Sequence, residues 1–346
     1  MTAHQSPAVP PGPVFLTGGT GLVGSHVAER LRAEGIPVRA LHRPTSRTGH
    51  LERLGCDLVT GDLLDSPEDL EQAMRGCGAL VHCAAVVYSD QPWSRVRALN
   101  VGGTEAVVEA AVQAGIRRLV HLSSVAVYGG TLEAVDEASP LTSGPTHSKG
   151  AYARSKKESE AAVAAAASDS GMVVVILRPS VVYGERDRLF SPVVARALSW
   201  PIQPVLGRGD TPIPAVYAGN LAHAVVLSLG AELVQGLHVF NVGGDHRLSQ
   251  RRLYTGLAAP LGQRVRILPI PELLVRLGAG LADALRLGVP GAGELSFRRA
   301  AALALRPNPY STARLAEKLG WDPPVPLAEA LERTGRWLAS EPNTLS

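Results

Sequence analysis

The chain has 346 residues, more than one core usually organises, so a large α/β domain with an appended lobe, or two domains, is expected. Hydrophobic residues make up 45% and charged residues 19%, which supplies a sizeable core and excludes a disordered chain. A formal charge of +3 with acids and bases interspersed, and only 4% aromatics, leaves no basic stripe or stacking platform for nucleic acid.

Residues 1–13 hold four prolines and neither a basic nor an apolar leader region. They are expected to form a loose, disordered tail, and the chain to be cytoplasmic. From residue 14 onward, short Val/Leu/Ile runs at 14–17, 38–41, 58–60, 79–83, 119–123 and 173–177 alternate with helical patterns such as 22–34 and 104–114. Unbroken apolar runs mark strands buried on both faces of a parallel sheet. Their alternation with helices predicts a doubly wound α/β fold. Cys56, Cys77 and Cys83 are odd in number and lack metal-ligand spacing, so reduced thiols are expected.

After residue 179, Pro and Gly become frequent, helical stretches dominate, and only runs such as 213–217 and 238–242 suggest strands. The expected division is a dinucleotide domain over 14–179 and a smaller, mainly helical substrate lobe over 180–346, interleaved with the end of the sheet. The apolar stretch 267–290 is interrupted by Pro269, Pro271, Glu272, Arg276, Asp283 and Arg286, too much charge to span a bilayer. The wider region 267–305, rich in Leu, Ala and Gly, suits an apolar substrate pocket or lid, and equally ordinary core helices, a dimer face or a helix lying on a membrane surface.

Thr17-Gly18-Gly19-Thr20-Gly21-Leu22-Val23-Gly24 follows the first strand and opens the first helix. Gly18 allows a tight turn, Gly21 lets backbone N–H groups approach a pyrophosphate, and Gly24 lets helix pack on strand. After the second strand, where an acid would grip the ribose hydroxyls of NAD, the chain reads His42-Arg43-Pro44-Thr45-Ser46. Arg43 is placed to clamp a 2′-phosphate, with Thr45, Ser46 or Arg47 assisting, which favours NADP; stacking on adenine in an NAD enzyme is the alternative. Asp62, in Gly61-Asp62-Leu63, is placed for an adenine contact or for a turn, and Ala84 and Ala85 put small side chains beside the dinucleotide.

Tyr152 and Lys156 stand one helical turn apart in a chain where lysine is otherwise confined to Lys149, Lys157 and Lys318. Residues i and i+4 share a helix face, and an ammonium beside a phenol favours the phenolate, a pairing suited to proton transfer near neutrality. An exposed helix start with no chemistry is the bland alternative.

The motifs TGGTGLVG, GDL at 61–63, NVGGT at 100–104, LSSVAVYG at 122–129 and Tyr152xxxLys156, with the closing YSTARLAEKLGW at 310–321, resemble the extended short-chain dehydrogenase/reductase superfamily, the NAD-dependent epimerase/dehydratase family. The resemblance covers most of the chain and implies a Rossmann fold. It makes Tyr152 the catalytic acid/base, Lys156 the holder of the nicotinamide ribose, and Ser124 the residue that orients the substrate oxygen. Ser123 competes for that last role, but alternation along the strand end turns one serine inward, and the superfamily's spacing before VYG selects Ser124. Thr20, Leu22, Val23, Asn100, Ser123, Pro179 and Val182 are expected along the cofactor, Asn100 by steadying its loops.

The stretches Leu177-Arg178-Pro179-Ser180-Val181-Val182-Tyr183-Gly184 and VRALHRPTS at 38–46 are similar to the 3β-hydroxysteroid dehydrogenase and dihydroflavonol reductase branch. Members acting on nucleotide-diphosphate sugars commonly carry Asn where this chain has Val181. The resemblance implies oxidoreduction of a secondary alcohol or ketone on an apolar body, with NADP or NAD, in a homodimer built through 104–114 and 153–167. A nucleotide-sugar epimerase or dehydratase and a non-catalytic NADP sensor are the alternatives. The chain departs from the superfamily at Gly219-Asn220, where an acid often follows the strand, which leaves local substrate contacts open.

Overall fold

The structure is a computed structural model that describes residues 9–87, 91–129, 134–142, 150–284, 298, 301–302 and 305–341. In chain order the first half gives β1 (Val14–Thr17), α1 (Leu22–Ala33), β2 (Val38–His42), α2 (Gly49–Arg53), β3 (Asp57–Thr60), α3 (Pro67–Met74), β4 (Ala79–His82), α4 (Trp93–Arg97), α5 (Gly103–Gln113), β5 (Arg118–Leu122), α6 (Gly150–Asp169) and β6 (Val173–Pro179). The second half gives β7 (Val181–Tyr183), α7 (Ser191–Ala197), β8 (Ile202–Leu206), β9 (Ala215–Tyr217), α8 (Ala218–Gly230), β10 (Gly236–Val242), α9 (Gln250–Ala258), β11 (Arg266–Ile270), α10 (Glu272–Ala284), α11 (Ala313–Leu319) and α12 (Leu327–Ser340).

Seven strands form one parallel sheet in the order β10-β6-β5-β4-β1-β2-β3. Every residue of β1, β4 and β6 is buried, as strands covered on both faces require. On one face Val27, Ala28 and Leu31 of α1 meet Leu221, Val225 and Leu229 of α8 and Leu315 and Leu319 of α11. On the other, Leu70 and Met74 of α3, Val107 and Ala111 of α5, and Val163 and Ala167 of α6 close the core. The doubly wound fold expected from the apolar runs is the fold observed, and the order reverses between β1 and β4, where such sheets open a crevice.

The lobe gives part of itself back to that sheet. Residues 218–242, placed after the expected boundary at 179, supply α8 and the edge strand β10, which runs parallel to β6 from Gly236 opposite Val173 to Val242 opposite Pro179. What remains of the lobe has its own core of Tyr183, Leu198, Tyr217, Leu253, Leu257 and Leu331, and two small parallel pairs, β7 with β9 and β8 with β11.

Of the tail expected over 1–13, residues 1–8 lie outside the described residues; at its end Val9 rests on the core and Pro13 O accepts a 3.0 Å hydrogen bond from Gly78 N, while Pro11 and Gly12 are exposed. The described residues from 267 form β11 and α10, whose Leu273, Leu274, Leu277 and Leu281 are exposed; 285–297, 299–300 and 303–304 lie outside the described residues. No helix among the described residues is long and apolar enough to cross a membrane, and Cys56, Cys77 and Cys83 are free thiols.

Candidate active site

The glycine turn between β1 and α1 is built by steric necessity. Gly18 has φ +71°, and a Cβ there would lie 2.7 Å from Ala84 N; a Cβ on Gly24 would lie 2.2 Å from Gly18 O. Gly21 N donates to Gly18 O at 3.0 Å, and Gly21 stands at the N-cap of α1 with no side chain to offer the first-turn N–H groups. Those donors and the positive end of the helix dipole are therefore available to an anion, which fits a dinucleotide pyrophosphate.

Beneath the turn runs a buried ladder that the sequence reading did not single out. Thr17 Oγ1 and His82 Nδ1 are 2.7 Å apart, His82 Nε2 and Thr104 Oγ1 2.9 Å, and Thr104 Oγ1 donates to Asn100 O at 2.7 Å. Because the Thr104 proton is spent on Asn100, His82 must donate from Nε2 and accept the Thr17 proton at Nδ1, which assigns its tautomer. Burial, assisted by the Lys156 charge, lowers the His82 pKa to about 3, so the ring stays neutral. Thr17 and His82 end two apolar runs in the sequence, but a lone His carries no register information.

Between the glycine turn and the loops after β2 and β3 a cavity of about 330 Å³ is lined by Gly18, Thr20, Gly21, Arg43, Ser46, Asp62, Leu63, Ala84, Ala85 and Asn100. Arg43 is exposed, and its guanidinium is in no ion pair among the described residues; its N–H donates to Ser46 Oγ at 3.2 Å. Thr45 and Arg47 are not in this wall. Asp62 serves the turn, accepting Leu64 N at 3.1 Å, while its residue still faces the cavity. Asn100, 2% exposed and inside a π-helical turn over 98–102, binds both backbone groups of Val86 and donates to Ser155 Oγ at 2.9 Å. It fastens the loop after β4 to α6.

A second cavity of about 500 Å³ opens beyond the turn. Leu22, Val23, Gly24, Ser123, Ser124, Tyr152, Lys156, Pro179 and Val182 line it, and Gly18, Thr20, Gly21 and Ala85 line both cavities. Lys156, 4% exposed, donates from Nζ to Leu122 O at 2.6 Å and lies 6.0 Å from the Tyr152 ring centroid. Burial lowers its pKa to about 8, with Cys83 and Glu160 opposing the drop. Both serines line the cavity, but they bond differently. Ser123 donates to Glu160, whereas Ser124 accepts Ala126 N at 3.1 Å and keeps its own proton for a ligand.

Glu160 is the other feature that sequence reasoning missed, although it stands one turn beyond Lys156 on α6. It receives Arg178 Nε at 2.9 Å and Nη2 at 2.6 Å, and Arg178 Nη1 donates to Tyr128 Oη at 2.7 Å, which donates to Asn241 Oδ1 at 2.8 Å. A buried bidentate pair of this kind locks the ends of β5, β6 and β10 under the serines. The acid absent at Gly219-Asn220 is supplied by Asp245, which accepts Tyr217 N at 2.9 Å and Asn220 Nδ2 at 2.7 Å. Around the outer wall stand Val87, Val125, Val181, Leu189, Phe190, Pro214 and Tyr310.

Residues 14–243 match the model of the NAD dependent epimerase/dehydratase family. A 4-hydroxy-2-methyl-3-oxo-4-farnesyl-3,4-dihydroquinoline-1-oxide ketoreductase from Stigmatella aurantiaca is 30% identical over 310 residues, 89% of this chain and 91% of that protein. A 2-alkyl-3-oxoalkanoate reductase from Shewanella oneidensis is 30% identical over 309 residues, 83% of this chain and 76% of that one. The solved UDP-glucuronic acid 4-epimerase from Bacillus cereus, in complex with UDP-glucuronic acid and NAD, superposes with a TM-score of 0.70 at 20% identity, covering 95% of this chain and 99% of that one, a likeness of fold. With the glycine turn, the parallel sheet and the matched span all in register, the chain belongs to the NAD-dependent epimerase/dehydratase family of extended short-chain dehydrogenases/reductases.

Proposed function

We propose that this protein is an NADP-dependent oxidoreductase that interconverts a secondary alcohol and a ketone carried on an apolar body. The observation that carries the reading is the second cavity. A hydroxyl, a phenol and an ammonium, from Ser124, Tyr152 and Lys156, meet apolar side chains that include Val87, Val125, Val181, Leu189, Phe190 and Pro214, with Arg186, Asp187 and Arg188 at the same wall. Val181, 43% exposed, stands where nucleotide-sugar enzymes commonly offer Asn to the substrate phosphates. The ketone-reducing relatives at 30% identity support the same chemistry.

The dinucleotide, held by the glycine turn, Asp62, Ala84 and Ala85, supplies the hydride chemistry when bound. Tyr152 gives a proton to the carbonyl oxygen in the reducing direction and takes it back in the other, the work of a general acid/base. Ser124 donates a second hydrogen bond to that oxygen, where charge develops. Lys156 keeps two N–H groups beyond its bond to Leu122 O, enough to hold a ribose hydroxyl while its charge favours the phenolate. The same reading includes a homodimer through α5 and α6.

The cofactor preference rests on Arg43, with Ser46 beside it and no acid at the end of β2. Titration of the purified protein with NADPH and NADH tests it: Arg43→Ala should weaken NADPH by ~10-fold or more and NADH little, since a charge-assisted phosphate contact is lost. Equal loss for both would assign Arg43 to adenine stacking and return the enzyme to NAD.

A further inference from the structure

The turn between β7 and α7 is fixed to an unusual degree. Arg186 has φ +69°, the left-handed region that L side chains avoid, and is held there by bonds from Nε to Ser25 Oγ at 2.7 Å and from Nη2 to Glu29 Oε2 at 2.8 Å, both on α1. Strain of this kind persists where the surroundings over-determine the backbone, and it concentrates at functional sites. On the other side Asp187, 2% exposed, accepts the N–H groups of Leu189, Phe190 and Ser191 and the Ser191 hydroxyl at 2.6–3.2 Å.

Between these anchors stands Arg188, exposed, with no hydrogen bond or ion pair among the described residues. It lines both cavities, and the other residues that do so are Gly18, Thr20, Gly21, Cys83 and Ala85. Their common rim is the glycine turn, so Arg188 is the one charged residue of the described chain at the place where the first cavity passes into the cavity of Tyr152. A dinucleotide that spans both must put its two phosphates there. The turn answers those charges with backbone N–H groups and roughly half a unit of helix dipole, short of the two negative charges that arrive.

We propose that Arg188 clamps the pyrophosphate of the dinucleotide across the glycine turn, presented by the locked segment 185–191. A guanidinium fork suits a phosphate bidentately, and a backbone already ordered on both sides leaves only the side chain to immobilise on binding. The fastening of Arg186 to Ser25 and Glu29 ties this segment to the helix whose N-terminus faces the same phosphates. The assignment rests on the dinucleotide reading above and is independent of the substrate and of the choice between NADP and NAD.

Calorimetric titration of Arg188→Ala with NADPH and with NADH tests it. Because the pyrophosphate is common to both, the two affinities should fall together by ~10-fold or more with their ratio unchanged, and the salt dependence of binding should become shallower. Arg188→Lys, which keeps the charge and loses the fork, should fall between the wild type and Arg188→Ala. Arg43→Ala should instead change the NADPH to NADH ratio, so failure of the NADP reading and failure of the clamp give different results. Wild-type affinity for both dinucleotides in Arg188→Ala, with unfolding midpoints matched, would overturn the proposal, as would a variant impaired only in KM for the second substrate.

Discussion

Lys156 shows most clearly how burial and chemistry are coupled in this site. Its ordinary pKa of 10.5 falls to about 8 because the ammonium is out of water, and the nearby Glu160 and Cys83 recover only part of the loss. Between pH 8 and 10.5 the unfolded chain therefore holds a proton on this side chain that the folded chain has released. Stability rises with pH wherever the unfolded state binds more protons, so the penalty for burying this ammonium is relieved progressively above pH 8, by up to about 3 kcal/mol once the window is crossed. Cys56, Cys77 and Cys83, whose thiols burial pushes up, oppose that rise in any variant, so denaturant unfolding at pH 8 and 9.5 should show a change with pH that is more positive in the wild type than in Lys156→Met. An identical pH response in both would show that Lys156 keeps its charge throughout. At this scale the pairing of Tyr152 with Lys156 on one helix face was legible in their spacing, whereas their proposed roles and the choice of Ser124 over Ser123 came from the resemblance to the superfamily. Glu160, Arg178 and His82 did not, because their partners come from α6, β6 and α5, and nothing local in the sequence states which strand ends meet.

The turn joining β1 to α1 is where an element depends on a missing side chain. Gly24 cannot accept a Cβ, which would stand 2.2 Å from Gly18 O, a backbone atom that cannot give way without moving the turn. Gly102 is the contrast: its φ is −58°, and a Cβ there meets nothing within 4 Å. Gly24→Ala should cost about 1–3 kcal/mol and most of the dinucleotide affinity. Gly102→Ala should be neutral or stabilising by about 0.4–1 kcal/mol, since it removes only unfolded-state freedom. Urea midpoints and NADPH titrations of the two variants check this, and equal midpoints would contradict the geometry. β1, β4 and β6 were readable because their centres are apolar runs buried on both faces, and β2, β3 and β5 keep enough Val, Leu and Ala to be read beside them. β8 and β11 were not, since Pro204 and Pro269 break their patterns; a two-stranded pair tolerates proline on its free edges, and Pro204 stands opposite Leu268 in that register. The π-helical turn at 98–102, which aims Asn100 at Val86, has no sequence signature at all.

Across the whole molecule, the chain crosses from nucleotide domain to lobe and back, and that weave places the cavity. β6 leads directly into β7, α8 returns to pack on α1, and Trp321 donates to Asn220 O at 3.2 Å, closing the lobe against the sheet. The cavity proposed for the substrate therefore has one wall from each part: Ser124, Tyr152 and Lys156 from the sheet side, Val181, Leu189, Phe190 and Tyr310 from the lobe. Sequence patterning fixed the class of fold and left the interleaving open, because sheet order is set by long-range pairing. The chemistry proposed for this site is net hydride transfer to an apolar ketone. Its most direct test is the loss of NADPH absorbance when the protein meets a panel of apolar ketones and nucleotide-diphosphate sugars. Steady NADPH oxidation with an apolar ketone, reduced at least ~100-fold in Tyr152→Phe while NADPH still binds, is the predicted result. Conversion of a nucleotide sugar without net NADPH oxidation would contradict it.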